Sequence, residues 1–159
     1  MADRVSATIT IGGVLPRSLL DEFTRAINDE DARLDWEGEP FTANAIPASE
    51  PLELMAHEVA WGNFTRLEAF CQQNGLSYVR WSGGCSGSFG PERVVFTGSG
   101  EPMSHAVTED DEMVFSLDII RTLGSIAAIE AQAAKGHFTP GSLIVVDNIP
   151  SETVEARHG

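Results

Sequence analysis

Residues 5–11 alternate in polarity: Val5, Ala7, Ile9 and Ile11 are apolar, while Ser6, Thr8 and Thr10 are polar. Successive side chains of an extended chain point to opposite faces, so this period of two dictates a strand with one buried side. Gly12-Gly13 is expected to end it, and Pro16 suits a helix start, where a missing N–H costs nothing. The period then changes. Leu19, Leu20, Phe23, Ala26 and Ile27 recur at three and four and line one helical face as far as Asn28. A one-sided strand followed by a one-sided helix has to fold into layers, which places the chain in the α+β class.

The same two periods return further along. Arg33 to Trp36 is expected as a short strand, and residues 37–51 read as loop because Gly38, Pro40, Pro47 and Pro51 interrupt them. Leu52, Leu54 and Ala56 alternate again as a strand. Asn63 is a candidate N-cap for a second helix with the stripe Phe64, Leu67, Phe70 and Cys71, and Asn74-Gly75 is its stop. Strands follow at Leu76–Trp81 and Arg93–Thr97, joined by the glycine- and serine-rich segment 82–90. The order β-α-β-β-α-β-β contains, in its first six elements, the split βαβ or ferredoxin-like pattern: an antiparallel sheet with two helices on one face. Beyond it, Thr108 is expected to open a helix through Met113, Leu117, Ile120 and Leu123, with Glu109 to Glu112 in its first turn. Ile126, Ile129 and Ala133 mark another helix stopped by Gly136, and Leu143 to Val146 an added strand. The chain of 159 residues suits one domain over 1–150, with 151–159 as a flexible tail. A domain of that size buries roughly 68–70% of its unfolded surface and needs neither disulfide nor metal to fold.

Charge narrows the class of partner. The formal net charge is −14, from 24 acids and 10 bases. Residues 1–60 hold twelve acids and four bases, and residues 101–118 six acids and no base, whereas 61–100 are almost neutral. Nucleic acid and anionic lipid require a positive patch, so direct binding to either is not expected. A basic protein surface is the expected partner. The residues expected to meet it are Glu109, Asp110, Asp111 and Glu112, the cluster Asp29, Glu30 and Asp31, and Trp61, whose large amphipathic ring suits an interface. Trp61 is also placed to staple the entrance of the second helix, while Trp36 and Trp81 are expected in the core.

The chain shows no recognisable catalytic or metal-ligand spacing, and no cofactor is expected. Segment 82–90 could form a backbone anion nest, yet it has no lysine of the kind a phosphate loop uses; the chain's one lysine is Lys135. Cys85 lies in that segment with no histidine at a telling spacing, and Cys71 falls on an apolar helix face. Consecutive acids at 109–112 diverge around a helix and do not converge on a cation. Neither a leader nor an apolar run of membrane length is read in the chain, so the cytoplasm is the expected compartment. Two alternatives remain: a small enzyme or anion binder working through segment 82–90, and an oligomeric structural module.

Several stretches taken together carry a resemblance. Ala7-Thr8-Ile9-Thr10-Ile11-Gly12-Gly13, Trp61-Gly62-Asn63-Phe64, Leu67-Glu68-Ala69-Phe70, Leu76-Ser77-Tyr78 with Arg80, and Pro91-Glu92-Arg93-Val94-Val95-Phe96 form the set. Over residues 5–97 the chain resembles a family of small acidic uncharacterised proteins encoded on conjugative plasmids and integrative elements of proteobacteria. The resemblance brings no catalytic residues. It implies the setting of mobile elements, whose small acidic proteins include inhibitors of restriction and CRISPR enzymes that present carboxylates in place of DNA phosphates.

Overall fold

A computed structural model describes residues 3–147, so the tail expected at 151–159 lies outside the described residues. Strand β1 spans Arg4–Pro16 and is followed by a 3-10 turn and helix α1, Leu20–Asp29. Strand β2 is Leu52–Ala60, helix α2 Thr65–Asn74, strand β3 Ser77–Ser82, strand β4 Glu92–Phe96 and strand β5 Met103–Ala106. Helices α3, Leu117–Leu123, and α4, Ile126–Gly136, precede strand β6, Leu143–Val146. The sheet runs β2-β1-β3-β4-β5 with every neighbour antiparallel, and β6 pairs in parallel with the end of β1.

Gly12-Gly13 does not end the first strand, contrary to the expectation. Strand β1 pairs with β2 as far as Ile11 and with β3 as far as Gly12, and from Gly13 to Pro16 it pairs with Leu143 to Val146. A Cβ on Gly12 would lie 2.0 Å from the carbonyl oxygen of Gly141, so the bare backbone is what admits the β6 segment. The strand expected at 33–36 reduces to one bridge, in which Arg33 exchanges both backbone hydrogen bonds with Met55. The ferredoxin-like order relies on a full strand there. What the described residues form is an open, mainly antiparallel six-stranded sheet with four α-helices.

The inward side of the sheet carries Ala7, Ile9, Ile11, Leu52, Leu54 and Tyr78, all buried. Against it lie Phe23, Ala26 and Ile27 from α1 and Leu67, Phe70 and Cys71 from α2, in one apolar cluster. The Phe23 and Phe70 rings, 5.4 Å apart, join the two helices. Gly75 closes α2 in the left-handed conformation expected of it.

Candidate functional site

The two acidic clusters named from the sequence fold differently from the expectation. Residues 108–112 are not a helix start but a tight turn. The Thr108 hydroxyl accepts the backbone N–H groups of Asp110 and Glu112, and Asp111 takes a left-handed φ of 63°. Helix α3 begins only at Leu117, where Ser116 caps it by accepting the N–H of Ile119. A hydroxyl at 108 competes with the helix by binding its own neighbours, which is why the turn wins. Two of the four acids are engaged internally: Asp111 accepts from Arg93 at 2.9 Å, and Glu109 accepts the N–H of Gly84 at 2.9 Å. Asp110 and Glu112 remain exposed.

In the cluster at 29–31 only Glu30 is tied into the fold, while Asp29 and Asp31 are exposed. Glu30 accepts the N–H groups of Arg66 and Leu67 and so caps α2 from outside that helix, a task expected of Asn63. Burial raises the Glu30 pKa above its ordinary value, with the two N–H donors pulling it back. Asp29 pairs with Arg66 at 2.6 Å, and Asp31 lies 3.8 Å from Arg33 in a left-handed turn.

Segment 82–90 is an ordered turn in which Cys85 bridges to Phe89. Its N–H groups at Gly83, Cys85, Ser88 and Phe89 are taken by backbone carbonyls, and that of Gly84 by Glu109. The carboxylate this turn meets is the chain's own Glu109. Cys71 is buried, and burial pushes its thiol pKa up, so it is an inert core group.

A polar network unnoticed in the sequence lies between α2 and the sheet. Arg80 is buried, and its guanidinium donates to Glu68, Ser82, Glu92 and Asn63 at 2.8–3.2 Å. Glu68 also accepts from the Tyr78 hydroxyl and from the N–H of Phe64, the residue that actually occupies the N-cap. Burial first, then the Glu68 charge, drives the Tyr78 phenol pKa upward. The signal was legible: Tyr78, Arg80 and Ser82 share the inward parity of β3, so an arginine there had to find a carboxylate.

This network floors a groove of about 600 Å³ walled by Trp61, Phe89 and Pro91. Trp61 does not staple α2. It sits at φ 58° in the turn after β2, is 51% exposed, and meets Phe89 with ring centroids 6.1 Å apart. Trp36 is not in the core either; at 39% exposure it stacks on His57, whose Nε2 lies 3.0 Å from Glu37.

The second feature is the pair of helices α3 and α4. Leu117, Ile119, Ile120 and Ile126 are all exposed, Ile126 at 72%. Between this arm and the edge strand β5 runs a groove of about 400 Å³ lined by Met113, Val114, Phe115, Ile119 and Leu123, with His105 and Asp118 beside them. His105 Nε2 is buried without a hydrogen-bond partner. Burial, then the Arg93 charge, lowers the pKa of that imidazole. Among the described residues there is no cluster of His, Cys, Asp or Glu able to hold a metal, and no helix is long and apolar enough to cross a membrane.

Compared with protein-family models, with curated proteins and with solved structures, the chain has no match.

Proposed function

We propose that this chain is a non-enzymatic, acidic protein-interaction module that docks through the α3–α4 arm onto a basic protein surface of the kind carried by nucleic-acid-handling enzymes. The observation that supports this reading is the arm itself: Leu117, Ile119, Ile120 and Ile126 lie in solvent on two capped helices. Exposed apolar side chains gathered on two successive helices are a feature of interaction sites. The charge selects the partner. Asp110, Glu112 and Asp118 are exposed in or just before the arm, and the chain as a whole carries −14. Two copies of so acidic a chain repel each other, while a basic partner is attracted and steered. Such an assignment agrees with the inhibitor role implied by the mobile-element resemblance, in which carboxylates occupy a surface meant for phosphates.

The test is affinity capture on immobilised protein at about 0.15 M and about 1 M salt, between which the screening length falls from about 8 Å to about 3 Å. The wild type is expected to retain a basic protein at the lower salt and release it at the higher. Leu117→Ser/Ile126→Ser and Asp110→Asn/Glu112→Gln are each expected to weaken retention of that same protein. Retention indifferent to salt and to both double variants would overturn the proposal.

A further inference from the structure

The groove floored by Arg80 also has a definite chemical preference. Four of the guanidinium's N–H donors are already directed at Glu68, Ser82, Glu92 and Asn63. An anionic ligand would have to displace carboxylates that the fold has installed, so this arginine does not make an anion site. The local balance is instead one negative charge in excess, with Glu68 and Glu92 flanking one arginine. Glu92 is the accessible member: its side chain is 38% exposed, against 10% for Glu68. Its two oxygens are fixed from within, one by Arg80 and the other by the Ser104 hydroxyl. A carboxylate has about four lone-pair directions, so this one can accept further donors without moving.

Two aromatic rings line the same groove as that carboxylate. Trp61 is held in a left-handed conformation that disfavours a bulky side chain, and this throws half of its surface into solvent. Packing offers no reason for a tryptophan there, since its ring neighbour is Phe89, itself partly exposed on the 82–90 turn. Gly62, which follows, is required by close approach, for a Cβ would lie 2.6 Å from that of Ser82. The turn therefore presses its backbone onto β3 and presents Trp61 at the mouth of the groove. A pre-positioned carboxylate next to aromatic faces is the chemistry that selects an organic cation, and a planar guanidinium can stack on tryptophan while its N–H groups reach a carboxylate.

We propose that the Trp61–Phe89–Glu92 groove is a seat for one arginine side chain presented by the basic partner. This rests on the proposed function in naming what the partner inserts, yet its test needs no partner. The probes are N-acetyl-arginine amide and its neutral isostere N-acetyl-citrulline amide, followed by shifts of the Trp61 indole N–H and the Ser104 and Ala106 amides in the folded full chain. Arginine is expected to bind with a dissociation constant on the order of 1 mM, and citrulline at least about fivefold more weakly. Trp61→Asn keeps a residue that tolerates the left-handed turn and is expected to weaken arginine binding at least about threefold. Glu92→Gln is expected to weaken it about fivefold. Unchanged spectra outside the groove check that both variants are folded. Equal shifts with arginine and citrulline, or arginine affinity untouched by Trp61→Asn, would overturn the assignment. Arginine binding that survives Leu117→Ser/Ile126→Ser while capture is lost separates the groove from the arm. Capture intact with no arginine binding removes only this inference.

Discussion

The region between β1 and β4 and the α3–α4 arm read alike in sequence and end in opposite environments. Both carry apolar residues at helical or strand periods. In the first region every such stripe finds an opposing surface, so Phe23, Ile27, Leu67 and Phe70 are buried against Ile9, Ile11 and Leu54. In the arm the stripe of Leu117, Ile120 and Ile126 faces solvent, because residues 3–147 supply no further layer on that side. Periodicity identifies a face that needs cover. It does not say whether the cover lies within the chain.

Mutation should separate the two regions sharply. Arg80→Met leaves Glu68 buried without its cation, and breaking a buried pair from one side costs about 3–5 kcal/mol. Urea unfolding should register a loss of that size. The arm variant Leu117→Ser/Ile126→Ser should change stability by no more than about 0.5 kcal/mol, as expected of exposed positions. An arm variant that proves as costly as Arg80→Met would mean that the arm is packed, and the contrast would fail.

Much of the first region was legible in the sequence. Alternation marked β1 and β2, the strands expected at 76–81 and 93–97 match β3 and β4, and Asn74-Gly75 marked the end of α2 at its left-handed glycine. Illegible features depended on partners distant in the chain. Gly12-Gly13 looks like a stop unless the approach of Gly141 is known. Edge strand β5, Met-Ser-His-Ala, has neither the length nor the β-branched residues that announce a strand. The acidic clusters were legible as charge but not as structure, since Glu30 caps a helix that begins at Thr65 and Asp111 meets Arg93. Of the residues expected to meet a partner, Asp29, Asp31, Asp110, Glu112 and Trp61 are exposed, Glu109 is exposed but accepts from Gly84, and Glu30 and Asp111 are part-buried and tied to the fold.

That division among the acids can be sharpened at a smaller scale. Glu30→Ala removes the acceptor for two N–H groups of α2 and should cost about 1 kcal/mol, the usual worth of a helix cap. Asp110→Asn/Glu112→Gln should leave stability within about 0.5 kcal/mol while weakening capture. Equal effects on stability from the two variants would erase the distinction between structural and displayed carboxylates.

The smallest expected effect concerns His105, which lies where the sheet meets the arm. Its pKa is lowered in the folded chain by burial and by Arg93, with His137 and Lys135 adding to it. The unfolded chain takes up that proton near the ordinary value of 6.5, while the folded chain resists it. This contribution to stability is therefore complete above pH 6.5 and declines as the pH falls through 6.5 toward the folded value. Its slope cannot exceed about 1.4 kcal/mol per pH unit for one proton. Urea midpoints at neutral and mildly acidic pH should converge in His105→Gln relative to wild type, and an unchanged difference would place the titration elsewhere.

Hydrogen exchange of the amides in α3 and α4, measured on the chain alone and with its captured basic partner, bears most directly on the central claim. Free chain should exchange rapidly across Leu117–Gly136 while β1 and β3 stay protected, and the partner should slow the arm selectively. An arm already as protected as β1 in the free chain at low concentration, or one left unprotected in the complex, would contradict the account.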